Sequence, residues 1–243
     1  MNFLLFREPL SAWTHFSWLL LSLPGTVLLW RLGRGDRAKQ LCLLVYGLGL
    51  AACFAGSTLY HGVRLSEAGI ASCQRLDQVG IYLLIAGSYT PASFVLLRGL
   101  WKWGSLALAW ALAAAGIAMH LLTDRVPAQL ATGLYLLLGW GIVLAYFELA
   151  RRLSHRALVP AVLGGVFYSA GAVLNLLGWP VLCFTAHEFM HFLVMAGSLS
   201  HYWFMARAVA PFDRRAAANL APAVPDAEAD ELDPAVALVR AQG

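Results

Sequence analysis

Seven apolar runs, each about the 20 residues a helix needs to cross roughly 30 Å of hydrocarbon, follow one another along this chain. They cover residues 12–30, 40–61, 76–97, 103–121, 129–149, 157–175 and 185–206. Of the 243 residues, 60% are hydrophobic and only 12% charged. A soluble domain carries about 25% charged residues, so there is too little polar surface here to face water. The pattern predicts an all-α polytopic membrane protein, a bundle of seven transmembrane helices within residues 1–210.

The breaks between runs carry turn chemistry: Gly33-Arg34-Gly35-Asp36, Arg64 to Gly69, Arg98-Gly99, Asp124-Arg125-Val126-Pro127, Arg151 to Arg156, and Gly178-Trp179-Pro180. Gly47 and Gly56 in the second run, and Gly164-Gly165 and Gly171 in the sixth, suit close helix approach. Met1 to Pro9 has no basic start and no small-residue cleavage site, so the first run is expected to be retained rather than removed. Residues 211–243, rich in Ala, Pro, Asp and Glu, are expected to be a disordered tail. Cys42, Cys53, Cys73 and Cys183 form no C-x-x-C spacing and read as small hydrophobes rather than a disulfide framework. The modest net charge of +4 is spread over short loops and does not suit nucleic-acid binding. Arg31, Arg34, Arg37, Lys39, Arg98, Lys102, Arg151, Arg152, Arg156, Arg207, Arg214 and Arg215 fall on one side. The other side holds Arg7, Arg64, Arg75 and Arg125, which puts the N-terminus outside and the C-terminus in the cytoplasm.

Ionisable groups are costly in hydrocarbon, so His187-Glu188-Phe189-Met190-His191 marks a functional site within the seventh run. Two histidines at i and i+4 lie about 40° apart on one helix face and can grip one metal ion. Connectivity brings the end of the second run, the start of the third and the start of the seventh to one membrane face. His61, Asp77, His187 and His191 can therefore share one depth. Three histidines plus one open position form the arrangement of a catalytic zinc site, although imidazole also suits copper, iron and nickel. Zinc lowers the pKa of a coordinated water towards about 7, and Asp77 can hydrogen-bond that water and take its proton.

Each residue also has a structural reading. His61 can be an interfacial histidine, Asp77 an N-terminal helix charge favoured by the macrodipole, and Ser57, at i−4 from His61, a hydroxyl bonded one turn back. Literal H-E-x-x-H is a zinc-protease signature with Glu as the base. Glu188, however, lies about 100° around the helix from His187, and Asp77 already offers a carboxylate. His15 and His120 read as packing or interfacial groups, and Asn175 and Tyr89-Thr90-Pro91 as groups near the far surface. His201, about 15 Å beyond His191 along the helix, cannot share its metal. Trp13, Trp30, Trp101 and Trp103 read as an interfacial belt.

The ordered set Ser57-Thr58-Leu59-Tyr60-His61, Asp77-Gln78-Val79-Gly80-Ile81-Tyr82, Ala86-Gly87-Ser88-Tyr89-Thr90-Pro91 and His187-Glu188-Phe189-Met190-His191 resembles the bacterial hemolysin III family. That family sits with the progestin and adipoQ receptors, including the adiponectin receptors, and more distantly with alkaline ceramidases. Glu8, His15, Gly164-Gly165, Tyr168 and Gly171 also fall where the family has similar residues, so the likeness runs from residue 8 to about residue 205. Gln78 departs from the His that many bacterial members carry there. The resemblance implies a seven-helix bundle with zinc on His61, His187 and His191, Asp77 holding the zinc-bound water, and Ser57 as its hydrogen-bonding partner. It implies hydrolysis of a lipid amide of the ceramide type, with the bilayer and a lipid substrate as partners. Adiponectin receptors place the N-terminus and zinc on the cytoplasmic side, the reverse of what the basic residues here indicate. The expected function is a zinc-dependent hydrolase in a bacterial plasma membrane. A receptor or sensor with structural zinc, a pore and an intramembrane metalloprotease stand as alternatives; no ring of charges favours the pore.

Overall fold

The computed structural model describes residues 6–123, 125–214 and 216. Helix α1 spans Pro9–Leu32, α2 Arg37–Gly62, α3 Glu67–Leu96, α4 Gly99–Leu122, α5 Ala128–Trp140, α6 Tyr146–Ala150, α7 His155–Leu177 and α8 Ala186–Phe204. No strand is formed among the described residues.

Local chemistry sets the helix starts. Pro9 opens α1, where its missing N–H leaves no intrahelical bond unmade. Asp36 accepts from the N–H of Lys39 at 3.1 Å and Ser154 from that of Ala157 at 3.3 Å. Ser66 caps α3 by accepting from the Gly69 N–H at 3.3 Å. With Glu67 favoured in the first turn, α3 therefore begins well before residue 76, where the apolar run starts. Asp77 consequently sits about three turns inside α3. It does not open the helix, so its reading as an N-terminal dipole charge is withdrawn.

The fifth run is broken rather than continuous. After α5, residues Gly141–Ala145 tighten into a 3-10 turn before α6 resumes. Tyr89 Oη inserts here and donates to the Leu138 carbonyl at 2.6 Å, and a Cβ on Gly141 would lie 2.9 Å from that oxygen. A side chain inserted beside the backbone ladder is a recognised cause of such a break.

Six helical segments among the described residues, α1 to α4, the Ala128–Ala150 run and α7, are long and apolar enough to cross a membrane. The 19-residue α8 is not one of them, because His187, Glu188, His191 and His201 lower its hydropathy.

Helix α2 packs most extensively on α3, and both are more buried than α1, α4, the fifth segment or α7. Lipid offers helices no hydrophobic reason to associate, so close approach through small residues matters more. A Cβ on Gly56 would lie 2.8 Å from the Leu76 carbonyl and 3.1 Å from Asp77 Cα; one on Gly80 would lie 2.7 Å from Cys53 Cα. This seam lays the Asp77 turn of α3 against the turn of α2 that carries Ser57. At the other end of α2, the buried Lys39 donates through Nζ to the carbonyls of Ala210 and Phe212 at 2.7 and 3.1 Å. Beyond α8 the chain divides after Phe212; in the second part the Ala216 N–H donates to Asp213 Oδ1 at 3.0 Å. Residue 215 and residues 217–243, most of the tail expected from the sequence, lie outside the described residues.

Candidate metal centre

His61 arrives on the last turn of α2, and His187 and His191 on the first turns of α8. The α8 turn is fixed by a capping box. Thr185 Oγ1 accepts from the Glu188 N–H at 3.2 Å, while Glu188 Oε2 accepts from the Thr185 N–H and Oγ1–H, each at 2.9 Å. The acidic residue of the H-E-x-x-H motif is thereby bound to its own helix start. Its local role is structural.

The three imidazoles converge. His187 Nε2 lies 3.3 Å from His61 Nε2 and 3.2 Å from His191 Nε2, and all the ligand atoms of the trio fall within 4.8 Å of one another. Tetrahedral nitrogens about 2.0–2.1 Å from zinc stand about 3.3–3.4 Å apart, so the spacing fits a metal ion. The donor set fits as well. His61 Nδ1 faces Glu8 Oε2 at 2.5 Å and His187 Nδ1 faces Asn175 Oδ1 at 3.1 Å. Each oxygen accepts an Nδ1–H, which leaves Nε2 as the lone-pair end pointing inwards. Acceptor ends turned on one another repel unless a cation lies between them. Among the described residues, these three histidines could hold a metal ion together.

The Ser57 hydroxyl hydrogen-bonds the Asp77 carboxylate, and Asp77 also interacts electrostatically with Glu8. Ser57 is buried, one turn before His61 on the same face of α2. Asp77 lies outside the trio of nitrogen ligands. The structure thus groups His61, His187 and His191, and pairs Ser57 with Asp77 on the adjoining turns of α2 and α3.

Two contributors belong to no motif. Glu8 precedes the first apolar run, and only the family resemblance touched it. Its contact depends on the segment before α1 crossing the end of α2, where the N–H of Arg7 donates to Gly62 O at 3.3 Å and that of Glu8 to His61 O at 2.9 Å. Asn175, expected near the far surface, instead stands on the histidine face. Gly178 takes a φ of +67° that ends α7, and the short return to Thr185 brings α8 back beside it. An amide in an apolar run was the available signal, since it must find a partner there.

His15, His120 and His201 are not among the three that could share a metal ion. His120 is buried, with Nε2 3.4 Å from Tyr135 Oη, as a packing role anticipates. His201 Nε2 donates to Ala161 O at 3.0 Å, and the missing side chain of Gly164 makes room for its ring. His15 is buried with its ring centroid 3.9 Å from that of His191.

Comparison with known proteins identifies the family. The profile described as "Haemolysin-III related" matches residues 3–202. Hemolysin-3 of Bacillus cereus is 32% identical over 194 residues, covering 79% of this chain and 87% of that protein. The hemolysin-3 homolog of Bacillus subtilis (strain 168) is 29% identical over 199 residues, covering 81% of this chain and 92% of the relative. The human monocyte to macrophage differentiation factor is 26% identical over 207 residues, 82% of each chain. The matched stretch takes in the six membrane-length segments and α8 up to its last turn, so the chain is an integral membrane protein that belongs to the haemolysin-III-related family.

Proposed function

We propose that the protein is a hydrolase of a bacterial plasma membrane that holds zinc on His61, His187 and His191 and cleaves a lipid amide of the ceramide class or a related acyl bond. One observation carries this reading: three imidazole Nε2 atoms converge at 3.2 and 3.3 Å close to a Ser57–Asp77 pair. Three protein ligands with a free fourth position are the pattern of a catalytic zinc site. When bound there, zinc supplies Lewis-acid chemistry and acidifies a water.

The chain's own residues do the rest. Glu8 and Asn175 hold Nδ1–H of His61 and His187 so that both rings keep their lone pairs inwards. Asp77 takes a proton from the attacking water on a carboxylate oxygen and passes it to the departing amine nitrogen. Amide and water thereby become carboxylic acid and amine, with no proton left over. Ser57 Oγ–H donates to Asp77 and orients that carboxylate. Glu188, engaged in the capping box, takes no part, which removes the main attraction of the protease alternative.

In this reading α8 is the seventh span. Its polar side is buried at His191 and Ser198, while Leu199 and Trp203 are exposed on the other side, where lipid would lie. The basic residues at the Lys39 end put that end in the cytoplasm, and the histidines then sit near the outer surface.

A structural zinc in a receptor or sensor is the second reading, favoured by the burial of His61 and His191, each 1% exposed. Metal analysis of purified protein, paired with mass spectrometry of lipids released by wild type and by Asp77→Asn, separates the two. Zinc with Asp77-dependent lipid release is the expected result. Zinc with identical lipid profiles would leave the structural role, and protein that takes up no zinc would remove both.

A further inference from the structure

Two of the three ligand rings have a hydrogen-bond acceptor behind them, and the third does not. His61 has Glu8 and His187 has Asn175. His191 Nδ1 is buried with no hydrogen-bond partner. Behind His191 lies another imidazole: the His15 ring, on α1, is 3.9 Å away between centroids and tilted by 34°. His15 is itself buried, no side chain hydrogen-bonds its nitrogens, the His191 backbone lies against it, and it meets Phe54 in an edge-on contact at 5.1 Å.

We infer that His15 is the positioning residue of His191, holding that ligand's ring by a close, tilted ring-on-ring contact where the other two ligands are held by hydrogen bonds. An unpartnered His191 ring is otherwise free to turn about its side-chain bonds and carry Nε2 away from the other two. The His15 ring packed against it, itself backed by the edge-on contact with Phe54, blocks that rotation. A cation on His191 Nε2 draws electron density from its ring, and an aromatic face beside an electron-poor ring is favourable. The ring contact is itself anchored, because Trp18 donates to Ser198 between α1 and α8 and Tyr202 Oη donates to the Gly25 carbonyl at 2.9 Å. The inference rests on the metal reading of the trio.

Cobalt(II) binding to the full-length protein in detergent tests it, with affinity taken from chelator competition and ligand geometry from the visible d–d bands. His15→Phe keeps the ring and should bind within about threefold of wild type with an unchanged spectrum. His15→Ala should bind about 10–100-fold more weakly, the usual cost of losing an outer-shell support, with altered bands. If His15→Ala does not fold, His15→Leu fills the space without an aromatic face and should behave as His15→Ala is expected to. A ring-less variant that matches wild type overturns the inference, as does a His15→Phe protein that loses as much as His15→Ala. A wild-type protein that binds no cobalt or zinc overturns the metal reading instead, so the two failures are distinguishable.

Discussion

Glu8 Oε2 lies 2.5 Å from Nδ1 of His61, joining the segment before α1 to the last turn of α2. The imidazole is buried while the carboxylate side chain remains 41% exposed, so Glu8 reaches the site from its rim. Removing this acceptor frees the His61 ring and its tautomer. Glu8→Ala is expected to weaken zinc affinity by about 10–100-fold, with Glu8→Gln recovering part of the loss because its amide oxygen still accepts. Competition against a chromophoric chelator measures both.

Holding three histidines from two helices with one ion ties α2 to α8. Zinc should therefore raise the thermal midpoint, by about 2.7 kcal/mol of stability at a hundredfold excess over its dissociation constant. His191→Ala should lose the bound ion and this response together. Thermal unfolding with and without EDTA reads the effect, and a midpoint indifferent to metal in the wild type contradicts it.

Asp77 is expected to act on the proton and not on the metal. Asp77→Asn should keep zinc stoichiometry and lower lipid hydrolysis by about 10²–10⁴-fold, the usual worth of a positioned base. Ser57→Ala, which removes only the hydrogen bond to Asp77, should give a smaller loss in the same direction. Zinc content and product release, measured on the same preparation, test both.

Glu188 gives the opposite pattern. Its carboxylate closes the capping box with Thr185, so Glu188→Ala should destabilise the protein by about 0.5–2 kcal/mol. Metal affinity and turnover per folded molecule should stay near wild type. Complete loss of turnover with zinc retained would return Glu188 to the role of base.

The Gly56 seam is testable by size alone. Gly56→Ala places a Cβ 2.8 Å from the Leu76 carbonyl and 3.1 Å from Asp77 Cα, where backbone must move. A cost of about 1–3 kcal/mol is expected, as for other overpacked sites. Gly133→Ala, with nothing within 4 Å of the added carbon, should be neutral or slightly stabilising in thermal unfolding.

Much of the architecture was legible in the residues because lipid imposes one strong rule: backbone polar groups must be satisfied within each segment. That rule turned runs of apolar residues into helices, and connectivity then allowed His61, Asp77, His187 and His191 one depth near one membrane face. Other features escaped because they depend on contacts between segments distant in sequence. The break in the fifth run is linked to Tyr89, which comes from α3. The early start of α3 followed a cap at Ser66, which an apolar window does not detect.

The chain's order of apolar runs and histidines by itself determined an all-helical membrane bundle whose histidines could share one depth. Tertiary structure alone decided what stands behind each imidazole: Glu8 for His61, Asn175 for His187 and the ring of His15 for His191. It also decided that Glu188 faces its own helix start. Periodicity and connectivity specify the face and depth of a residue, whereas the partner of a particular nitrogen depends on how whole helices pack and on where a short segment such as Arg7-Glu8 crosses them.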